Sequence, residues 1–144
     1  VFFGFSDIDP NTLSIETDVM TGATATLTLT ASDICGFFLS AELTDDEDWH
    51  MVYNGGSTTG QTDSTQVDAD DDAVAGEFQV LRLEIDTNGT ARWYIDGVLL
   101  QTQTGAASTS TDLGLILAVE AKGAAIETLD VDYLLVRANR DWTV

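Results

Sequence analysis

Residues 77–103 read EFQVLRLEIDTNGTARWYIDGVLLQTQ, and the fold class turns on this stretch. Leu81, Leu83 and Ile85 alternate with Arg82, Glu84 and Asp86, the two-residue period of a strand with one buried and one wet face. The alternation resumes beyond Thr87-Asn88-Gly89, with Ala91, Trp93 and Ile95 set against Arg92, Tyr94 and Asp96. Thr87-Asn88-Gly89 and Asp96-Gly97 supply the positive φ angles that tight hairpin turns require. Three consecutive antiparallel strands are therefore expected here.

Outside this stretch no window keeps a 3.6-residue apolar period over three turns, while Thr, Val, Ile, Leu and aromatic residues recur in short runs. The chain reads all-β, with strands expected over 2–5, 13–18, 23–31, 34–41, 49–53, 77–86, 90–95, 98–103, 113–121 and 127–138. Gly36-Phe37-Phe38-Leu39 and residues 113–119 are apolar at both parities, which predicts central strands covered on both faces. Two packed antiparallel sheets, a β-sandwich, follow. Between 54 and 75 apolar content gives way to Gly, Ser, Thr, Gln and Asp, the composition of a mobile excursion with 68–72 as its acidic tip. A second loop of small residues is expected over 105–112. The chain shows no internal repeat or interdomain linker, and 1–144 is expected to be one domain.

Charge restricts the partners. The chain carries 25 acidic and 5 basic residues, a net −20, whereas phosphate contacts need clustered Lys and Arg. Nucleic acid and anionic membranes are both disfavoured, and no apolar run approaches the roughly 18 residues of a spanning helix. Self-repulsion of this size is relieved by salt, as expected of a marine or otherwise saline setting, although acidic surfaces also serve as a general solubility device. The chain begins at Val1 rather than Met, so residues upstream of it are expected. Cys35 is the only cysteine; no intrachain disulfide can form, and its apolar neighbours mark it as a buried filler.

The strand 78–85, its hairpin and Arg92-Trp93-Tyr94-Ile95-Asp96-Gly97 resemble the late strands of concanavalin A-like lectin and glucanase domains. Leu129-Asp130-Val131-Asp132-Tyr133-Leu134-Leu135-Val136 is similar to the closing strand of that family. The resemblance implies a jelly-roll sandwich whose last strand returns beside the first. Phe3-Gly4-Phe5-Ser6-Asp7, Gly36-Phe37-Phe38-Leu39 and the compact C-terminal half are together similar to small structural proteins of tailed bacteriophages.

Catalytic chemistry finds little footing. A retaining glucanase holds two carboxyl groups about 5 to 5.5 Å apart on one strand face. Glu84-Ile85-Asp86 begins such a Glu-x-Asp-x-(x)-Glu motif, yet continues into Thr87-Asn88-Gly89, so the second Glu is missing. His50 is the only histidine, and nothing near it marks a nucleophile. A non-enzyme, with no catalytic residue and no required cofactor, is the expectation.

Parity places Trp49, Met51 and Tyr53 on one face and His50 with Val52 on the other, so His50 is expected at the surface or a pocket rim. Arg92 and Tyr94 lie on the wet parity of their strand, and with His50 they form the candidate carbohydrate site; Trp49 and Trp93 are assigned to the core. The acidic runs 45–48 and 68–72 offer oxygen ligands for Ca²⁺, but neither has the spacing of a calcium loop, and no metal site is assigned. The apolar ends, with Val1, Phe2, Phe3, Phe5, Trp142 and Val144, are the candidate contact residues, with core packing as the alternative.

Two functions from different classes are expected. One is a capsid decoration protein of a tailed bacteriophage, trimeric, bound to the major capsid protein on the outer virion surface. The other is a carbohydrate-binding module of a phage fibre or secreted enzyme, located outside the cell.

Overall fold

The computed structural model describes residues 1–9, 11–15, 20–23, 26–43, 46–60, 68–121, 124 and 126–138. Ten strands run through them: β1 (Phe2–Ser6), β2 (Met20–Ala23), β3 (Thr26–Leu29), β4 (Ile34–Phe38), β5 (Asp48–Asn54), β6 (Asp68–Asp72), β7 (Leu81–Ile85), β8 (Ala91–Ile95), β9 (Val98–Gln103) and β10 (Gly114–Ala118). Five form an antiparallel sheet in the order β10-β1-β4-β5-β6, three form the antiparallel sheet β7-β8-β9, and β2 pairs with β3 alone. The protein is all-β with two antiparallel sheets, consistent with a β-sandwich.

Composition explains the centre of the larger sheet. All five residues of β4 are buried, as its run of apolar residues at both parities requires, and so are residues 49–53 of β5. Phe37 stacks on Phe3 at 6.3 Å and meets the Trp49 ring edge-on at 6.2 Å. The smaller sheet touches this face through Trp93, whose ring lies 5.6 Å from that of Tyr53 and whose indole N–H donates to the Gly36 carbonyl at 2.9 Å. Gly36 faces Gly4 across the β1–β4 pair. A Cβ at Gly36 would come within 2.5 Å of the Phe3 carbonyl oxygen and 2.8 Å of the Phe2 ring, so the close approach of that ring requires glycine there.

One amide ties the edge of the larger sheet to the chain entering β7. Gln79 accepts from the Trp49 indole at 2.9 Å and donates to the Asp71 carboxylate at 2.9 Å and the Asp72 carbonyl at 3.0 Å. The β8–β9 turn has Asp96 at φ 49° and Gly97 at φ 84°, as its sequence requires. In the β7–β8 turn, Asp86 N–H donates to the Thr90 carbonyl at 2.8 Å and Gly89 takes φ 79°.

Several expected elements differ. Residues 113–119 were expected as a central strand, but β10 is the outermost strand of its sheet, with Leu117 38% and Val119 42% exposed. The acidic stretch 68–72 is no loop tip: it pairs with β5, across a register shift that puts Asp70 at φ 49° and buries Ala69. Over 23–31 the expected single strand is instead the later part of the β2–β3 hairpin, with 24–25 outside the described residues. Residues 13–15 are not in a strand and 16–19 lie outside the described residues. The expected closing strand 127–138 is exposed coil. It cannot pair beside β1, because β4 and β10 already occupy both of that strand's edges.

Candidate functional site

Three loops meet at one end of the sheets: the glycine pair after β5, the β7–β8 turn, and the β9–β10 connection. They are laced by backbone, with Thr58 N–H donating to Gly105 O at 3.0 Å and Ala107 N–H to Gly89 O at 3.0 Å. The Thr58 hydroxyl also donates to Gly105 O at 3.0 Å, and accepts from the Gln103 amide at 3.2 Å. Small residues permit this crowding. A Cβ on Gly56 would collide with the Gly105 carbonyl, and one on Gly89 would stand 2.5 Å from the Ala107 carbonyl oxygen.

Between the loops lies an open cleft of about 290 Å³, lined by Gly55, Gly56, Ser57, Asn88, Gly105 and the segment 107–110. Its lining carries hydroxyl, amide and backbone groups but no charged or aromatic side chain. On a chain of net charge −20, such a neutral patch suits a small uncharged ligand rich in hydroxyl groups. Asn88 is partly committed, because its Oδ1 accepts Thr90 N–H at 3.0 Å. The sequence marked 105–112 as a loop of small residues, but not its meeting with Gly55 and Asn88, which are distant in the chain.

The three residues read from the sequence as a carbohydrate site are not brought together. Arg92 and Tyr94 do share the outward face of β8, half-buried. There Arg82 lies 3.7 Å over the centre of the Tyr94 ring, the Tyr94 hydroxyl donates to Glu84 at 3.0 Å, and Arg92 pairs with Asp86 at 2.9 Å. Arg82 and Glu84 are themselves 3.2 Å apart. The pairing holds the Asp86 carboxyl below its usual range and raises Arg92, while burial and the Glu84 hydrogen bond raise the Tyr94 hydroxyl. One face of Tyr94, the natural platform for a sugar ring, is covered by Arg82. His50 is elsewhere and fully buried: β5 lies between β4 and β6 and both its faces are covered, so the alternating parity that suggested a rim position does not apply.

Of the candidate contact residues, Phe2 is fully buried over the Gly4–Gly36 pair and belongs to the core, because β1 is an interior strand. Val1, Phe3 and Phe5 are half-buried, and Trp142 and Val144 lie outside the described residues. Trp49 and Trp93 are core residues, as their parity indicated. Cys35 is buried, and burial pushes its thiol far above the usual range. Among the described residues, no group of three or more His, Cys, Asp or Glu side chains could hold a metal ion, and no helix is long and apolar enough to cross a membrane.

Compared with known proteins, the chain matches no family model, no curated protein and no solved structure.

Proposed function

We propose that this chain is a non-enzymatic structural subunit of a virion, a decoration protein that binds the major capsid protein on the outer surface of a tailed-bacteriophage head, on a concanavalin A-like jelly roll. The observation that carries this reading is the exposed segment 126–138. On a strongly acidic chain it presents Ile126 at 91%, Tyr133 at 63% and Leu135 at 63% exposure, apolar surface that calls for a protein partner. The burial of His50 and Cys35, which keeps both from a substrate, supports the non-enzymatic part. The test is peptide mapping and reconstruction of purified virions, scored for this chain in stoichiometric copies on the outer shell. Its absence from the particle, or its presence at a tail tip alone, overturns the reading.

The neutral cleft favours a second reading, a carbohydrate-binding module. A glycan array separates the two. The decoration reading expects no reproducible hit. A hit abolished by Thr109→Trp, which fills the cleft, and kept by Tyr94→Ala would promote the module and place its site among the loops.

A further inference from the structure

Residues 126–138 read IETLDVDYLLVRA, a strand-forming sequence. Over 128–133 Leu129, Val131 and Tyr133 alternate with Thr128, Asp130 and Asp132, and Leu134, Leu135 and Val136 that follow are apolar at both parities. Yet all thirteen residues are exposed and none belongs to a strand. Among the described residues, no hydrogen bond or ring contact involves them, and Glu127 meets the rest of the chain through its charge on the Val1 ammonium. A segment that would bury its apolar side chains and satisfy its backbone as a strand does neither in the monomer.

The two larger sheets have four outer edges, and three of these carry the features that protect edges from pairing. The β6 edge is four-fifths Asp and shifts register against β5. The β7 edge holds Arg82 and Glu84, and β9 shifts register against β8. β10 has none of these: it reads Gly-Leu-Ile-Leu-Ala, with no charge and no proline, and follows β1 in unbroken register over five pairs. Its outer side exposes Leu117, and Val119 beyond it.

We propose that 126–138 is a donor strand that adds to the outer edge of β10 on a second copy of this chain, closing copies into a ring. Each copy then offers one donor and one acceptor, and a head-to-tail junction of this kind closes as a dimer, trimer or larger ring. The partner is another copy rather than the chain's own β10, because the segment does not pair with that edge although only a short connection separates them. An uncharged acceptor also suits a donor carrying Glu127, Asp130 and Asp132 against the single Arg137. The inference deepens the decoration reading and rests on its premise that this segment meets protein.

Two full-length variants break opposite halves of the junction. Val131→Pro/Asp132→Pro removes adjacent backbone N–H groups, one directed to each side of a strand, from a segment that belongs to no strand in the monomer. Leu117→Glu puts a repelling charge on the acceptor. Light scattering coupled to size exclusion in 0.5 M NaCl should give an oligomer for the parent and a monomer for each variant, with Trp fluorescence reporting that both are folded. Mixing the two variants restores one intact junction, the Leu117→Glu donor on the proline variant's β10, so a one-to-one heterodimer is expected. A monomeric parent, an oligomer that survives either change, or a mixture that stays monomeric overturns the inference. An oligomer with these properties from a protein missing in virions would overturn the decoration reading alone.

Discussion

The indole N–H of Trp93 in the smaller sheet donates 2.9 Å to the backbone carbonyl of Gly36, in a central strand of the larger one. Trp93 is fully buried and rests against Tyr53, so one side chain supplies apolar contact and a directional bond between the sheets. Trp93→Phe keeps a ring but removes the donor and part of the volume, with an expected loss of about 2–3 kcal/mol in urea unfolding. A change below about 0.5 kcal/mol, within the scatter of surface substitutions, would show that the bond contributes little.

Two glycines should respond to alanine very differently. Gly97 has φ 84° with nothing within 4 Å of an added Cβ, so Gly97→Ala meets only backbone strain, about 1 kcal/mol. At Gly36 the added carbon meets Phe3 backbone and the Phe2 ring, and the sheet itself must move. Gly36→Ala is expected to cost more than about 3 kcal/mol or to prevent folding. Thermal melts of both proteins check this, and equal losses would contradict the close approach of Phe2.

The parts of the fold legible in sequence are those set by local chemistry. Alternation over 81–95 and the Asn-Gly and Asp-Gly turns gave β7 and β8, and the apolar run in β4 gave a fully buried strand. Strand order was less accessible. The same apolar pattern lies in β4 and in 113–119, but one is interior and the other an edge, since composition reports what a strand can bury and not what lies beside it. His50 failed for a related reason: a strand with both faces covered has no wet parity. The cleft depends on loops brought together from three distant parts of the chain, which no local pattern encodes.

Cys35 gives a pH dependence whose sign follows from burial. Its thiol is raised in the folded state, which keeps a proton that the unfolded chain sheds above about pH 8.5. Stability should therefore be intact below that pH and fall as pH rises beyond it, by up to about 1.4 kcal/mol per pH unit for this one proton. Between pH 8.5 and 10 the slope of unfolding free energy should flatten in Cys35→Ala, whatever baseline loss the smaller side chain causes. An unchanged slope would assign the alkaline loss to other groups. The native thiol should also resist aromatic disulfide reagents until the protein is unfolded.

Like charges have a defined place to act as well as a global one. The chain carries a net −20, and Asp48 of β5 lies directly opposite Asp72 of β6 in the larger sheet. Like charges facing each other across a strand pair are destabilising, whereas salt shortens the range of repulsion from about 10 Å at 0.1 M to about 3 Å at 1 M. The melting temperature should rise between low salt and about 0.5 M NaCl, and magnesium should exceed sodium at equal ionic strength only if an acidic run binds it specifically. Asp72→Asn removes one member of the pair and leaves the Asp72 backbone carbonyl free to accept from Gln79. It should stabilise at low salt by about 0.2–1 kcal/mol, and the gain should shrink as salt screens what remains. A melting temperature that is flat in salt would remove the repulsion argument and with it the reason to expect a saline setting. A gain from Asp72→Asn that is independent of salt would mean that the residue acts through something other than charge.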